Sequence, residues 1–259
     1  MPDLETTLIP PGLAERLRTA RYVAVLTGAG ISAESGIPTF RDPQSGLWAN
    51  YRPEDLATPA AFRANPRLVW EWYAWRRAAV AGVVPNAGHR ALVEIEARVP
   101  HFLLLTQNVD GLHQAAGSHA VVELHGNIRR VKCFDRGHAV ATWAEAGDVP
   151  PLCPLCGSPL RPAVVWFGES LPADALARAA DAIARCDLFL ALGTSLRVEP
   201  AASLPADALA RGATVLILNR EVADRVAPPL YQINGLAGTV LPALLEAAWP
   251  EMAGSGSRS

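Results

Sequence analysis

The stretch that decides the fold is Tyr22-Val23-Ala24-Val25-Leu26-Thr27-Gly28-Ala29-Gly30-Ile31-Ser32-Ala33-Glu34-Ser35-Gly36. A short apolar, β-branched run reads as a buried strand, and the glycines after it read as a tight turn into a helix. Without side chains at Gly28 and Gly30, a diphosphate could approach the backbone, its charge facing the start of the helix. An isolated Gly-x-Gly is equally an ordinary strand-to-helix turn, and the spacing departs from Gly-x-Gly-x-x-Gly. No acidic residue closes a second strand about twenty residues on, which disfavours an ordinary dehydrogenase.

Outward from this turn, strand-like runs recur at residues 102–107, 121–124, 188–192 and 214–218. Helical periodicity fills 68–80, 88–97, 173–184, 201–210 and 241–248. This alternation predicts an α/β fold, a Rossmann-like parallel sheet with helices on both faces. It breaks twice. Residues 42–85, rich in tryptophan and arginine, suggest a helical insertion. Residues 129–162, with three cysteines and many turn formers, suggest a small inserted module. The larger domain is then discontinuous, made of 1–41, 86–128 and 163–259.

With 259 residues and 50% hydrophobic content, the chain can bury a full-sized core. A net charge of -2 supplies no basic field for nucleic acid or anionic lipid, so neither is an expected partner. Lys132 is the only lysine, which leaves 22 of the 23 basic residues as arginine. The apolar runs are far shorter than a membrane span, and the first twenty residues lack a signal-like h-region, so a soluble cytoplasmic protein is expected. Two of the four cysteines form Cys153-x-x-Cys156, a spacing that suits a metal or redox pair better than a structural disulfide. Residues 253–259 read as a frayed tail.

The glycine turn continues into Ile37-Pro38-Thr39-Phe40-Arg41, and the whole run resembles the sirtuin signature. So do Thr106-Gln107-Asn108-Val109-Asp110-Gly111-Leu112-His113, Leu124-His125-Gly126, Trp166-Phe167-Gly168-Glu169 and Gly193-Thr194-Ser195. The blocks stand in the family's order and span nearly the whole chain. The resemblance implies an NAD-dependent lysine deacylase of bacterial type, acting on acylated lysine in proteins or peptides and yielding nicotinamide, free lysine and O-acyl-ADP-ribose.

It further implies that Gly28, Ala29 and Gly30, with Gly193, Thr194 and Ser195, serve the phosphate and ribose side of NAD, and that Glu34 is also among the cofactor-binding residues. Asn219, Arg220 and Glu221 would reach the adenosine, and Ala237 would contact the adenine through its backbone. Thr39, Phe40, Arg41 and Trp48 would line the reactive side, with Phe40 excluding water from the ribose. Gln107, Asn108, Val109 and Asp110 would hold nicotinamide, with Asn108 and Asp110 forcing a cleavable conformation. In the implied reaction the acyl oxygen attacks C1′ of the ribose as nicotinamide leaves. A base then activates the ribose hydroxyls, and His125, titrating near neutrality, is the candidate. Val165, Trp166, Phe167 and Gly168 look like the family's strand for pairing with an extended peptide.

Tyr73 and Arg76, three apart on a helix, present a phenol and a planar guanidinium fork that could bind a terminal carboxylate. They resemble the Tyr-x-x-Arg mark of class III sirtuins, which remove succinyl, malonyl and glutaryl groups. Ala57 also matches that class, leaving room for a longer acyl chain. Bacterial relatives also remove acetyl groups, so both activities are expected.

Sirtuins commonly hold a structural zinc with four cysteines. Here Cys133, Cys153 and Cys156 are present, and Arg136 stands where the fourth belongs. A guanidinium that stays protonated cannot ligate zinc. The fourth ligand is missing or substituted, with His138 one option and a metal-free module another. Two rival functions stay open: an NAD-dependent protein ADP-ribosyltransferase, and a non-catalytic NAD or ADP-ribose sensor.

Overall fold

The computed structural model describes residues 9–38, 51–143 and 147–251. Its strands are β1 (Tyr22–Thr27), β2 (His101–Thr106), β3 (Val121–Glu123), β4 (Gly126–Cys133), β5 (Ala139–Val140), β6 (Leu160–Val164), β7 (Leu188–Leu192), β8 (Thr214–Leu218), β9 (Arg225–Ala227) and β10 (Leu230–Ile233). The main sheet has seven strands in the order β3-β2-β1-β7-β8-β10-β9. Its pairings are parallel except for β9, which runs antiparallel to β10 at the edge.

Alternate residues of these strands feed two cores. Val23 and Val25 of β1, Leu104 of β2 and Leu190 of β7 pack under α1 (Pro11–Thr19), α6 (Ala87–Glu96) and α10 (Ala237–Ala248). Ala24, Leu26, Leu105 and Phe189 face α8 (Ala173–Arg185) and α9 (Leu204–Ala210) on the other side. A strand buried on both faces has no polar alternation, which is why these runs read as continuously apolar.

From β1 the chain proceeds to β2 and β3 on one side, then to β7 and β8 on the other. The order reverses between β1 and β7, and in open parallel sheets ligands bind at the carboxyl ends of such strands. Gly28 and Gly193 stand at those two ends.

The second sheet is three-stranded and antiparallel, β5-β4-β6. Between it and the first domain lie α3 (Pro53–Leu56), α4 (Pro59–Ala64) and α5 (Pro66–Ala81). One side of α5 joins Val69, Trp72 and Tyr73 to Ile128, Val164 and Trp166. Trp70, on another side, packs with Val131, Cys133, Cys153 and Leu160 of the small module. Among the described residues, no helix is long and apolar enough to cross a membrane.

The structure extends the sequence reading in three places. α1 and the β9–β10 pair are additional elements, the latter interrupted by Pro228-Pro229. Residues 201–210 begin as a 3-10 turn before α9. α10 starts at Ala237 rather than 241, because the distant Glu34 carboxylate accepts from Gly238 N at 3.0 and 3.1 Å. A carboxylate there faces the positive end of the helix, a contribution of about 0.3–1 kcal/mol that a local window cannot reveal.

Candidate active site and metal centre

The strand ends of the main sheet meet through backbone. Gly30 N donates to Gly193 O at 2.8 Å, and a Cβ on Gly30 would lie 2.7 Å from that same oxygen. A Cβ on Gly28 would lie 2.8 Å from both Gly193 O and Thr194 Cα, and Gly193 itself has φ +58. These glycines are therefore required first by their own contact. The same bare backbone is what a diphosphate would approach, so the strand-end turns fit NAD. Ala29 begins α2 (Ala29–Ala33) beside them.

Further residues gather at the same end. Gln107 Nε2 donates to Thr194 Oγ1 at 2.9 Å, and Asn219 Nδ2 donates to Thr194 O at 2.7 Å. Ser195, Arg220 and Glu221 are exposed, while Ala237 is buried beneath Gly88 at the start of α10. Glu34 occupies its carboxylate with Gly238 N. Thr39, Phe40, Arg41 and Trp48 lie outside the described residues.

Asn108 and Asp110 are buried in one hydrogen-bonded set. Asn108 Nδ2 donates to Gly28 O at 3.1 Å and to Ser32 Oγ at 3.0 Å. Ser32 Oγ donates to Asp110 Oδ2 at 2.8 Å, and Asp110 Oδ1 accepts from Leu112 N at 2.8 Å. Val109, between them, accepts from Ile128 N through its carbonyl at 2.9 Å. Asn108 thus directs both amide protons into the protein, which leaves its Oδ1 as the atom able to receive a ligand's N–H. Ser32 was not singled out from sequence, although it lies inside the glycine-turn motif.

His125 joins β3 to β4. Its Nδ1 is 3.0 Å from Gln107 O, and a carbonyl can only accept, so Nδ1 carries the proton and Nε2 is the basic nitrogen. Burial lowers its pKa below the usual imidazole value, opposed by the bond to Gln107. The residue after it decides its placement. Gly126 has φ +77, and a Cβ there would collide with Ala163 O, so only glycine lets β4 lie against β6 at this point. His125 O then accepts from Val165 N at 2.9 Å.

The chain from Val165 to Glu169 is tied down on several sides. Phe167 N donates to Ala57 O at 2.9 Å, and Trp166 N donates to Glu169 Oε2 at 2.8 Å. Arg161, buried in β6, pairs with Glu169 and lays its guanidinium 3.3 Å from the Trp166 ring centroid. Phe167 is 45% exposed, and Gly168 has open space where a Cβ would stand.

Trp166 Nε1 donates to Tyr73 Oη at 2.9 Å. An indole N–H can only donate, so the phenol oxygen accepts and keeps its own proton to give. Burial pushes the Tyr73 pKa up to about 12, which holds that proton in place. The Arg76 guanidinium lies 4.9 Å from the Trp72 ring and 5.9 Å from the Tyr73 ring, on the same face of α5. Ala57 is buried in the same cluster as Tyr73 and Trp166. A groove of about 410 Å³ lined by Arg21, Tyr22, His101 and Arg185 lies at the opposite, amino ends of β1 and β2, remote from these residues.

In the small module, ligand atoms of Cys133, His138, Cys153 and Cys156 all lie within 4.8 Å of one another. Cys133 Sγ is 3.5 Å from Cys156 Sγ, and Cys153 Sγ is 3.7 Å from His138 Nδ1. Zinc–sulfur bonds of about 2.3 Å separate two tetrahedral ligands by roughly 3.8 Å, so the four residues fit a closed zinc site. Arg136 takes no ligand position. Its backbone N–H donates to Cys133 Sγ at 3.4 Å, and Gly137 then turns the chain so that His138 comes back to the cysteines. Burial raises the Cys133 thiol pKa, but hydrogen bonds, that of Arg136 foremost, outweigh it and leave the value at about 7. Cys186 lies apart, packed at the end of α8.

Residues 28–200 match the Sir2 family. The NAD-dependent protein deacylase of Ralstonia nicotianae is 50% identical over 249 residues, covering 95% of this chain and all of that protein. A Sir2 homologue solved in complex with NAD superposes with a TM-score of 0.84 at 42% identity, over 95% of this chain and 96% of its own. A Sir2 protein solved with a p53 peptide and NAD gives 0.79 at 32% identity, over 91% and 96%. With the family match covering more than half of the chain and relatives aligned over nearly all of it, the protein belongs to the Sir2 family.

Proposed function

We propose that this protein is an NAD-dependent lysine deacylase that prefers short acyl groups ending in a carboxylate, succinyl and malonyl, and also accepts acetyl. The deacylase activity is supported by the family and by the relatives' names. The observation that carries the acidic preference is the hydrogen bond from Trp166 Nε1 to Tyr73 Oη. It leaves a phenol proton to donate beside the Arg76 guanidinium, a pair that a carboxylate rewards and an acetyl methyl group does not.

NAD, when bound, supplies the ribose carbon that takes the acyl oxygen as nicotinamide leaves. Gly28, Ala29, Gly30, Gly193, Thr194 and Ser195 bind its phosphate and ribose side, and Asn219, Arg220 and Glu221 its adenosine. Ala237 meets the adenine, and Glu34 serves the same side by holding α10 through Gly238. Thr39, Phe40, Arg41 and Trp48 would serve the reactive side of NAD, as the family resemblance implies. Gln107, Asn108, Val109 and Asp110 would hold the nicotinamide, with Asn108 Oδ1 the atom able to accept from its carboxamide. His125, its ring fixed by the bond from Nδ1 to Gln107 O, would take the ribose hydroxyl proton at Nε2. Val165, Trp166, Phe167 and Gly168 pair with the backbone of an extended peptide. Cys133, His138, Cys153 and Cys156 would hold a zinc ion in a structural role, since four protein ligands leave no open position. We further place the protein in the cytoplasm, where these thiols stay reduced.

The test is a comparison of one peptide carrying succinyl-, malonyl-, glutaryl- or acetyl-lysine, each turned over with NAD. Expected is a kcat/KM for succinyl- and malonyl-lysine roughly tenfold or more above acetyl-lysine, as charge-assisted hydrogen bonds imply. Equal values would remove the acidic preference. Absence of acyl-dependent nicotinamide release from every peptide would remove the deacylase reading itself.

A further inference from the structure

Two buried histidines are unused by the mechanism. His89 and His113 are 0% and 1% exposed, with ring centroids 4.9 Å apart. His113 Nε2 lies 2.9 Å from Thr27 Oγ1. Thr27 Oγ1 donates to Thr106 Oγ1 at 2.8 Å, and Thr106 Oγ1 also accepts from Asn108 N at 3.1 Å. Asn108 in turn reaches Ser32, Ser32 reaches Asp110, and Asp110 holds Leu112 N, the residue next to His113. The hydrogen bonds thus close a ring of buried groups around residues 107–110.

Its polarity follows from donor counts. With the Thr27 hydroxyl donating to Thr106, His113 donates from Nε2, and its Nδ1 is a bare acceptor. Asn86 N is 3.4 Å from His89 Nδ1, so His89 carries its proton on Nε2. The two remaining nitrogens, a donor on His89 and an acceptor on His113, are complementary, and neither has a hydrogen-bond partner among the described residues. Burial lowers both pKa values, to about 4 for His89 and about 3 for His113, so both rings stay neutral and the polarity holds. Asn86 also caps α6 and donates to Ile31 O at 2.7 Å and Ser35 Oγ at 3.0 Å, which ties the histidine pair to the glycine turn.

We propose that His113, seated against His89, is a positioning residue for the loop 107–110, acting through Thr27 and Thr106 to set the backbone of Asn108. The inference rests on the assignment of that loop to nicotinamide. A misplaced Asn108 would impair engagement of NAD and of nicotinamide while leaving the proposed peptide-pairing segment 165–168 untouched.

The test compares His113→Phe, His113→Gln, Thr27→Val, the double variant Thr27→Val/His113→Phe, and Asn108→Ala. For each, KM for NAD, KM for the acyl-peptide and the inhibition constant of nicotinamide are measured. His113→Phe keeps a ring but gives Thr27 no proton, and is expected to raise KM for NAD and weaken nicotinamide inhibition roughly tenfold, with the peptide KM within about twofold. His113→Gln, which retains an N–H near the Nε2 position, restores most of the loss. Thr27→Val reproduces it, and the double variant is no worse than either single change, because both break one path. Should His113→Phe fail to fold, Thr27→Val carries the same comparison with little change of volume. Equal losses in NAD and peptide parameters, or additive losses in the double variant, would overturn the proposal. If Asn108→Ala weakens nicotinamide inhibition while neither Thr27→Val nor His113→Phe does, the relay is wrong and the loop assignment survives. If Asn108→Ala leaves nicotinamide inhibition intact, the loop assignment falls and takes the proposal with it.

Discussion

At the strand ends of the main sheet, Gly28, Gly30 and Gly193 meet backbone to backbone, and Asn108, Ser32 and Asp110 exchange hydrogen bonds. Across from them, Tyr73, Arg76 and Trp166 are set by aromatic packing and one side-chain bond between α5 and the segment that follows β6. The first region tolerates almost no change, because its geometry is made by absent side chains and saturated donors. The second depends on which side chains project from a shared wall, so it can change its ligand without changing its fold. His125 joins them, its ring bonded to Gln107 on one side and its carbonyl to Val165 on the other.

The largest effect should come from forcing the two regions apart at their joint. Gly126→Val places a side chain into Ala163 O at a positive φ and is expected to abolish soluble folded protein or all activity. A stable, active Gly126→Val variant would show that the joint is not built this way. His125→Ala spares the packing of both regions, so NAD binding should persist while deacylation falls by roughly 10²–10⁴, the usual worth of a positioned base. Near-normal turnover would remove His125 from the chemistry. Because burial lowers its pKa, kcat/KM should rise through a pKa below the ordinary histidine range and be flat above neutrality on this account.

The metal sharpens the contrast further. Purified protein without a histidine tag should carry zinc, and His138→Ala should weaken its retention while Arg136→Ala, which leaves the backbone N–H in place, should not. Hydrogen exchange after chelation should rise in β4, β5 and β6 and much less in the main sheet. A uniform rise would mean that the small module is not a separate structural unit. A separate effect concerns acid. His89 and His113 are neutral when folded, with pKa values near 4 and 3 against about 6.5 unfolded. The unfolded chain therefore binds more protons between those limits, and stability should decline as pH falls from about 6.5 toward 3. Thermal transitions in that range should be less pH-dependent in His113→Phe than in the wild type.

The two regions also differed in how far they could be read from sequence. β1, β7 and β8 are apolar throughout because both faces are covered, so their bounds followed directly, and the Gly28–Gly36 turn pointed to the ligand end of the sheet. What stayed hidden depended on partners distant in the chain. Glu34 capping α10, 204 residues away, moved that helix start, and β9 and β10 were too short to show a period. Tyr73 and Arg76 were legible as a pair on one helix face, but the indole that fixes the phenol's proton lies 93 residues on. His138 is one option among several from sequence, because the cysteine spacing alone does not show that Gly137 turns the chain back toward the metal ligands. Thr106 and His113 bound a motif block and Thr27 ends the first strand, but only the fold brings the three into one hydrogen-bonded ring.

The measurement that bears most directly on the central claim is the double variant Tyr73→Phe/Arg76→Met, compared with wild type on succinyl- and acetyl-lysine forms of one peptide. The expected result is that kcat/KM for desuccinylation falls by about 100-fold or more, two charge-assisted bonds being lost, while deacetylation changes by less than about threefold. Parallel losses on both substrates would contradict it, because α5 would then support the fold rather than read the acyl group.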